Sequence, residues 1–461
     1  MINKQKIQLT RYIKNLFMIS WSEHEGVNYF ELNKNFLNIN NNLNLNLFYQ
    51  YKIKNKIKIA TFTYYLENGG RARITSLLFN YLYNIKIFNL FLFTIRNKDD
   101  NEYFIQAKIN RILINNFTII KLIKFILKKR INIFIYQFSY SNEINLLNKL
   151  KNVKVLNYLH QSIFSWIYSN YTTFKSLYKS YQESNYVISL IHMENDYIFK
   201  KWGIKSILMN NFISYKYNSS FPMDLTSNII LMIGRADDKL KRFELGIQSM
   251  EYIRNEIPET QMRIVTNKTN TNIDYLKNLI NILSLENNIE FFGYSPVPEK
   301  YFRNICLNII TSISESFSLV LSETKIYGIP NILLGLDYIS TANGGIVIIY
   351  DDSPESIAKE SSKILLNYKY RKKLGNEGRR NMKKFENKIL LKKWVKLILS
   401  IYYNNNNYEN LRKIDKKISE NKAQNFLKNQ IKFLKKRTIL KNITLNNIEN
   451  FTFMESINFI Y

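Results

Sequence analysis

The sequence predicts an α/β architecture made of two successive parallel-sheet units. Three observations carry this. Apolar runs of strand length alternate with helical stretches through most of the chain. The alternation stops at a polar, aperiodic seam, Asn210 to Pro222, and then restarts. The length of 461 residues is about three times the ~150 usual for one domain.

In the first unit, Ile57-Lys-Ile-Ala-Thr-Phe-Thr63 reads as a buried strand, and Gly69-Gly70 opens a helix through Arg71 to Tyr83. Further strands are predicted at Ile87 to Phe93, Ile131 to Tyr136, Val153 to Tyr158 and Tyr186 to Leu190. Helices at Ile119 to Lys129 and Tyr171 to Glu183 fall between them. The second unit begins with Ile229-Ile-Leu-Met-Ile-Gly234 and continues with strands at Met262 to Val265, Ile289 to Phe292, Leu307 to Thr311, Asn331 to Leu334 and Ile346 to Tyr350. Its helices read at Arg242 to Arg254, Ile273 to Leu285, Ser318 to Tyr327, Pro354 to Leu366 and Tyr368 to Phe385. Such alternation covers both faces of a parallel sheet with helices, and two Rossmann-like units leave a cleft where ligands usually bind. The expected divisions are an Asn-rich extension over 1–52, a first domain over 53–212, a second over 213–385, an apolar helix over 386–403 and a basic tail over 404–461.

Composition narrows the classes of function. A hydrophobic share of 46% excludes a mostly disordered chain. The single cysteine, Cys306, excludes a disulfide-built fold and a Cys-rich zinc module, and favours a reducing compartment. His24, His160 and His192 are too far apart to form a paired-histidine metal motif. The stretch Leu77 to Ile95 is broken by Asn80, Asn84, Lys86 and Asn89, so it reads as a helix end plus a strand rather than a membrane span. With no targeting segment evident, a cytoplasmic location is expected. The net charge of +30 invites a polyanion or membrane reading. However, lysine supplies 50 of the 66 cations and arginine only 16, which is the pattern of a solvated surface rather than of base-edge recognition. Nucleic acid is therefore not expected as a partner. The tail carries eleven Lys/Arg against three acids between Tyr403 and Lys441. As a helix it sets Leu427, Ile431 and Leu434 on one face and Lys428, Lys432, Lys435 and Lys436 on another. This fits peripheral contact with an anionic membrane, and equally a stripe docked on the body.

Three features carry chemistry. Gly234-Arg235-Ala-Asp-Asp-Lys239-Leu-Lys241-Arg242 lies between a strand and a helix. There, close backbone approach, free N–H groups and cations suit a diphosphate. Glu315-Ser-Phe-Ser-Leu-Val-Leu-Ser-Glu323 sets two carboxylates eight residues apart, about 12 Å if the whole segment is helical. That exceeds the roughly 5 to 9.5 Å of a glycosidase pair, so the two acids are expected to grip different parts of one extended ligand. The backbone N–H groups of Phe317, Ser318 and Leu319 lie between them. Gly69-Gly70 permits close approach from the opposite wall, but it is not a dinucleotide fingerprint.

Together with Gly328-Ile-Pro330, these motifs resemble the family 4 glycosyltransferases of the GT-B fold, over roughly Lys56 to Tyr403. The resemblance implies a nucleotide-sugar donor, retention of anomeric configuration, no cofactor or catalytic metal, and a last helix crossing back to the first domain. It assigns Arg235 and Lys241 to the donor diphosphate and Glu323 to the ribose. Glu315, with the Phe317–Leu319 backbone, falls to the donor sugar, and Gly293-Tyr294 to the base. His160 is placed in the cleft and Asn211 at the hinge. Three departures stand out. The Arg235-to-Lys241 gap is one residue longer than is common, which makes Lys239 an alternative clamp. Arg242 stands where glycine is frequent, and Leu336-Asp337-Tyr338-Ile-Ser-Thr replaces a Gly-Gly loop. The expected activity is transfer from a UDP- or GDP-sugar to a carbohydrate or lipid-linked acceptor. The alternative is a degenerate GT-B core acting as a basic module for anionic polymers, which two cleft carboxylates disfavour by repulsion.

Overall fold

The computed structural model describes residues 55–404 apart from 68, 97–101, 139–140, 162, 164–170, 214–226, 237–239, 267–270, 296 and 337. The extension over 1–52, most of the seam, Lys239, Asp337 and nearly all of the basic tail lie outside the described residues.

Two all-parallel sheets form the frame. The first comprises β1 (Ile57–Phe62), β2 (Phe88–Thr94), β3 (Asn110–Leu113), β4 (Ile133–Tyr136), β5 (Lys154–Tyr158), β6 (Tyr186–Ser189) and β7 (Ser206–Leu208). Its order is β3-β2-β1-β4-β5-β6-β7. The second comprises β8 (Ile229–Ile233), β9 (Gln261–Thr266), β10 (Ile289–Gly293), β11 (Leu307–Ile310), β12 (Asn331–Leu334) and β13 (Ile346–Ile349), in the order β10-β9-β8-β11-β12-β13. Each order reverses once, between β1 and β4 and between β8 and β11. Loops at the carboxyl ends of those strands splay apart and leave a crevice, so these reversals fix where a ligand can enter.

The central strands are buried on both faces, which is why they read as continuous apolar runs. The short edge strands β3 and β7 gave no such signal. In β3, Asn110 and Arg111 interrupt the apolar run, and β7 has only three residues. The helices are α1 (Gly70–Tyr83), α2 (Ile119–Lys129), α3 (Ser141–Asn148), α4 (Tyr171–Gln182) and α5 (His192–Trp202) in the first unit. The second unit adds α6 (Phe243–Glu256), α7 (Thr271–Ile282), α8 (Leu319–Ile326), α9 (Pro354–Leu366) and α10 (Tyr368–Met382). Caps set several starts: Thr118 accepts from the Lys121 N–H, Ser353 from Ser356 and Asn367 from Tyr370. Among the described residues no helix is long and apolar enough to cross a membrane.

The final helix, α11 (Asn387–Tyr402), packs on the first sheet's core although it follows the second sheet in the chain. Asn387 fixes its entry: the side-chain oxygen accepts from the Ile213 N–H at 2.9 Å, and the amide donates to the Tyr81 hydroxyl at 2.6 Å. One turn further, Leu390, Leu391, Trp394, Val395 and Ile398 enter the same apolar cluster as Ile59, Leu78 and Tyr158. The fully buried Trp394 ring meets Tyr158 edge-on at 5.2 Å. Trp394→Ala is expected to cost about 3–5 kcal/mol of unfolding free energy. Urea denaturation checks this, and a loss below about 1 kcal/mol would mean that α11 is not part of the first sheet's core.

Candidate active site

Most of the residues singled out from the sequence lie at the carboxyl ends of the strands, at or near the two reversal points. Gly69 and Gly70 follow β1, Gln137 follows β4, and His160 follows β5. Facing them, Gly234 to Arg242 follow β8, Gly293-Tyr294 end β10, and Glu315 to Ser318 follow β11. Gly69 has φ +136°, a region closed to most side chains, so glycine is required for the turn into α1. A Cβ on Gly70 would lie 3.9 Å from Leu319, which places the start of α1 against the start of α8 across the cleft.

In the second sheet, hydrogen bonds stitch the two loops together. The Ile313 N–H donates to the Leu240 carbonyl at 2.8 Å, and the Thr311 hydroxyl donates to the Lys241 carbonyl at 2.6 Å. This brings the Lys241 ammonium to 2.5 Å from Glu315 Oε1, which also accepts from Ser312 Oγ at 2.8 Å. Gly234 lies beneath: a Cβ there would press to 3.2 Å on the Phe243 ring and 3.6 Å on the Lys241 stem. Arg235 is exposed beside it. Arg242 turns inward, with its Nη1 on both oxygens of Asp352 at 2.5 and 2.6 Å and its Nε donating to the Thr311 carbonyl at 2.7 Å. Its φ of +49° explains why glycine suits that position.

Glu323, which the resemblance assigns to the ribose, is already paired in the structure. Its carboxylate is fully buried and forked by Arg73 of α1, at 2.6 Å from Nη2 and 3.2 Å from Nη1. The segment between the two acids is helical only from Leu319, so four helical residues contribute about 6 Å and the turn before Leu319 sets the rest of the separation. The Tyr103 hydroxyl lies beside Gly69, Arg73 and Glu323, and burial pushes it up to about 12. Its ring meets Tyr294 edge-on at 6.3 Å, and the Tyr294 hydroxyl is buried without a partner among the described residues. Arg73 and Tyr103 were missed because nothing local marks them; only the cleft gives them a role. Phe317 is a core side chain among Ile213, Ile326, Met382 and Phe385, so only its backbone can meet a ligand. Ser318 caps α8 with φ +53°.

His160 sits at the domain junction, where its carbonyl accepts from Ser316 Oγ at 2.7 Å. Its tautomer follows from a chain of donors. The Thr61 hydroxyl donates to the Ile135 carbonyl at 2.8 Å and must therefore accept from Gln137 Nε2, also at 2.8 Å. Gln137 Oε1 then faces His160 Nε2 at 3.1 Å, so that nitrogen carries the proton. Burial, then the Arg71 charge, push the ring down to about 3, against a smaller upward pull from Asn211. Asn211 is buried beside it and accepts from the Tyr158 hydroxyl at 2.6 Å.

Residues 216–381 match the model of the glycosyl transferases group 1 family. No curated protein sequence matches the chain. Among solved structures it is similar to sucrose-phosphate synthase from Thermosynechococcus elongatus, with TM-score 0.64 and 15% identity over 76% of this chain and 100% of that one. It is similar to HepE from Anabaena in complex with UDP and glucose, with TM-score 0.62 and 13% identity over 75% of this chain and 99% of that one. A third similar structure is TarM of S. aureus, with TM-score 0.53 and 19% identity over 61% of this chain and 58% of that one. The fold is thus that of the GT-B glycosyltransferases, and the match to the group 1 family model falls within its second half.

Two outcomes follow from the geometry. Arg73→Met strands a buried carboxylate and is expected to cost about 3–5 kcal/mol, most of it recovered when Glu323→Gln is added. Additive losses in urea denaturation would refute the coupling. The second concerns pH. Folded His160 titrates near 3 and the unfolded imidazole near ~6.5, so the unfolded state binds more protons between those values. The stability this contributes is complete above pH ~6.5 and is lost as pH falls towards 3. His160→Gln should therefore shrink the difference in unfolding free energy between pH 7 and pH 5 by about 1–2 kcal/mol. An unchanged difference would contradict the buried neutral ring.

Proposed function

We propose that the protein is a retaining, metal-independent glycosyltransferase of the family 4 type. On this reading it moves a sugar from a UDP- or GDP-sugar to a carbohydrate or lipid-linked acceptor. The observation that carries the reading is the Lys241–Glu315 contact at the second sheet's reversal point, one turn before a helix N-terminus. A cation and an anion held together there serve the two ends of a breaking glycosidic bond. Lys241, with Arg235, neutralises the departing diphosphate as its charge grows, the work a divalent cation does in other transferases. Glu315 faces the sugar carbon that becomes electron-poor, and the first-turn N–H groups from Leu319 have no acceptor within their own helix. His160, neutral and protonated on Nε2, keeps Nδ1 as an acceptor; that atom is buried, so a substrate hydroxyl reaches it only by displacing what covers it. Glu323 binds the ribose only by exchanging its Arg73 partner. The UDP and glucose held by the Anabaena structure support a nucleotide-sugar donor here.

The repulsion expected to keep a polyanion out of the cleft is not supported, because Lys241 and Arg73 neutralise the two carboxylates. The transferase reading rests instead on the fold and the group 1 match. A thermal-shift panel of UDP-, GDP- and ADP-sugars should identify the donor, since a ligand at one hundred times its Kd adds about 2.7 kcal/mol. With that donor, Glu315→Gln and Arg235→Ala should each lower turnover at least a hundredfold, and EDTA should leave it within twofold. Near-wild-type turnover by both variants would sink the assignment.

A further inference from the structure

The loop that departs from the Gly-Gly pattern reaches back to Glu315. The Tyr338 hydroxyl accepts from the Glu315 N–H at 3.0 Å and donates to the Glu315 carbonyl at 2.9 Å, with Ser314 Oγ at 3.3 Å. A phenol has one proton and two lone pairs, so one donated and two accepted bonds use it fully. Burial raises its pKa well above the ordinary range, and the proton stays in place at any working pH. Three residues on, Thr341 Oγ1 donates to the Phe317 carbonyl at 2.8 Å. Two side chains of one loop therefore hold the turn that carries Glu315.

The loop is itself braced. Lys325 of α8 is fully buried, and its ammonium donates to the Thr341 carbonyl at 2.6 Å, the Asn343 carbonyl at 2.8 Å and Asn381 Oδ1 at 3.2 Å. Three donors meet three acceptors. A closed circuit results: the turn leads into α8, α8 carries Lys325, Lys325 fixes 341–343, and the loop returns to the turn. From this circuit we infer that Tyr338 is the positioning residue for Glu315, fixing the peptide from which the carboxylate reaches Lys241 and Ser312. The assignment rests on the proposed role of Glu315. It gives the substituted loop a task that glycines, lacking side chains, cannot perform.

The test uses the full chain, Tyr338→Phe, Glu315→Gln and the double variant, with UDP release from UDP-glucose as the activity probe and amide hydrogen exchange as the structural one. Phenylalanine keeps the ring and removes only the hydroxyl. Tyr338→Phe is expected to lower kcat about 10- to 100-fold with KM within about twofold, the cost of a misaligned group. In the Glu315→Gln background the same change should cost less than about twofold, because its effect runs through Glu315. Exchange at the Glu315 amide should speed at least tenfold while the α8 amides keep their rates. Unchanged exchange, or equal losses with and without Glu315, would overturn the inference. Wild-type turnover by Glu315→Gln with faster exchange in Tyr338→Phe would instead overturn the catalytic reading and leave the tether standing.

Discussion

Between the two sheets, the Arg73 guanidinium meets the fully buried Glu323 carboxylate, with only 11% of the arginine side chain exposed. Removing two charges from water costs several kcal/mol each, and their attraction recovers this only while the forked geometry holds. The pair therefore adds little net stability but strongly penalises any other arrangement. Sliding α1 against α8 by one residue would strand both charges. Gly69 and Gly70 at the head of one helix and Leu319 at the head of the other take their separation from this contact. Under the proposed reading, ribose binding at Glu323 is an exchange of partners, so donor affinity reports a difference between two well-made contacts rather than a gain from an open site.

Charge in this protein works by placement rather than by sum. The net charge is +30, and lysine supplies most of the cations. Arg73 and Lys241 are each matched to one carboxylate, Arg242 to Asp352, and Lys325 to backbone carbonyls. Burial, and then the neighbouring Lys384, pull Lys325 down to about 7. Its role as a three-way donor is therefore strongest below neutrality: a neutral amine has one proton fewer and leaves an acceptor unsatisfied.

The frame was legible because buried parallel strands announce themselves as apolar runs between helices, as at Ile57 to Phe62 and Ile229 to Ile233. The motif positions were legible too: Lys241 and Glu315 meet, and Gly69-Gly70 face Leu319. What remained hidden depends on contacts between distant segments. Arg73 and Glu323 are 250 residues apart, and Tyr338 and Glu315 are 23 apart in different loops. No local period or cap encodes such pairs. The edge strands were hidden for a different reason, since half-exposed or three-residue strands lack a pattern to detect.

The two helices that start nearest the Lys241–Glu315 contact both begin at a strained residue. Arg242 and Ser318 have φ of +49° and +53°, where a non-glycine side chain costs on the order of 1 kcal/mol. Arg242 is held by side-chain bonds that glycine could not make, and Ser318 by the packing of its two neighbours. Arg242 is locked by Asp352 and the Thr311 carbonyl, and Ser318 lies between Phe317, sunk in the core, and Leu319, packed across the cleft. These turns place two helix starts beside the Lys241–Glu315 pair. The strain therefore marks where the chain has given up local comfort for a fixed geometry. The tether from Tyr338 belongs to the same logic, because a strained turn that was free to relax would carry Glu315 away from Lys241.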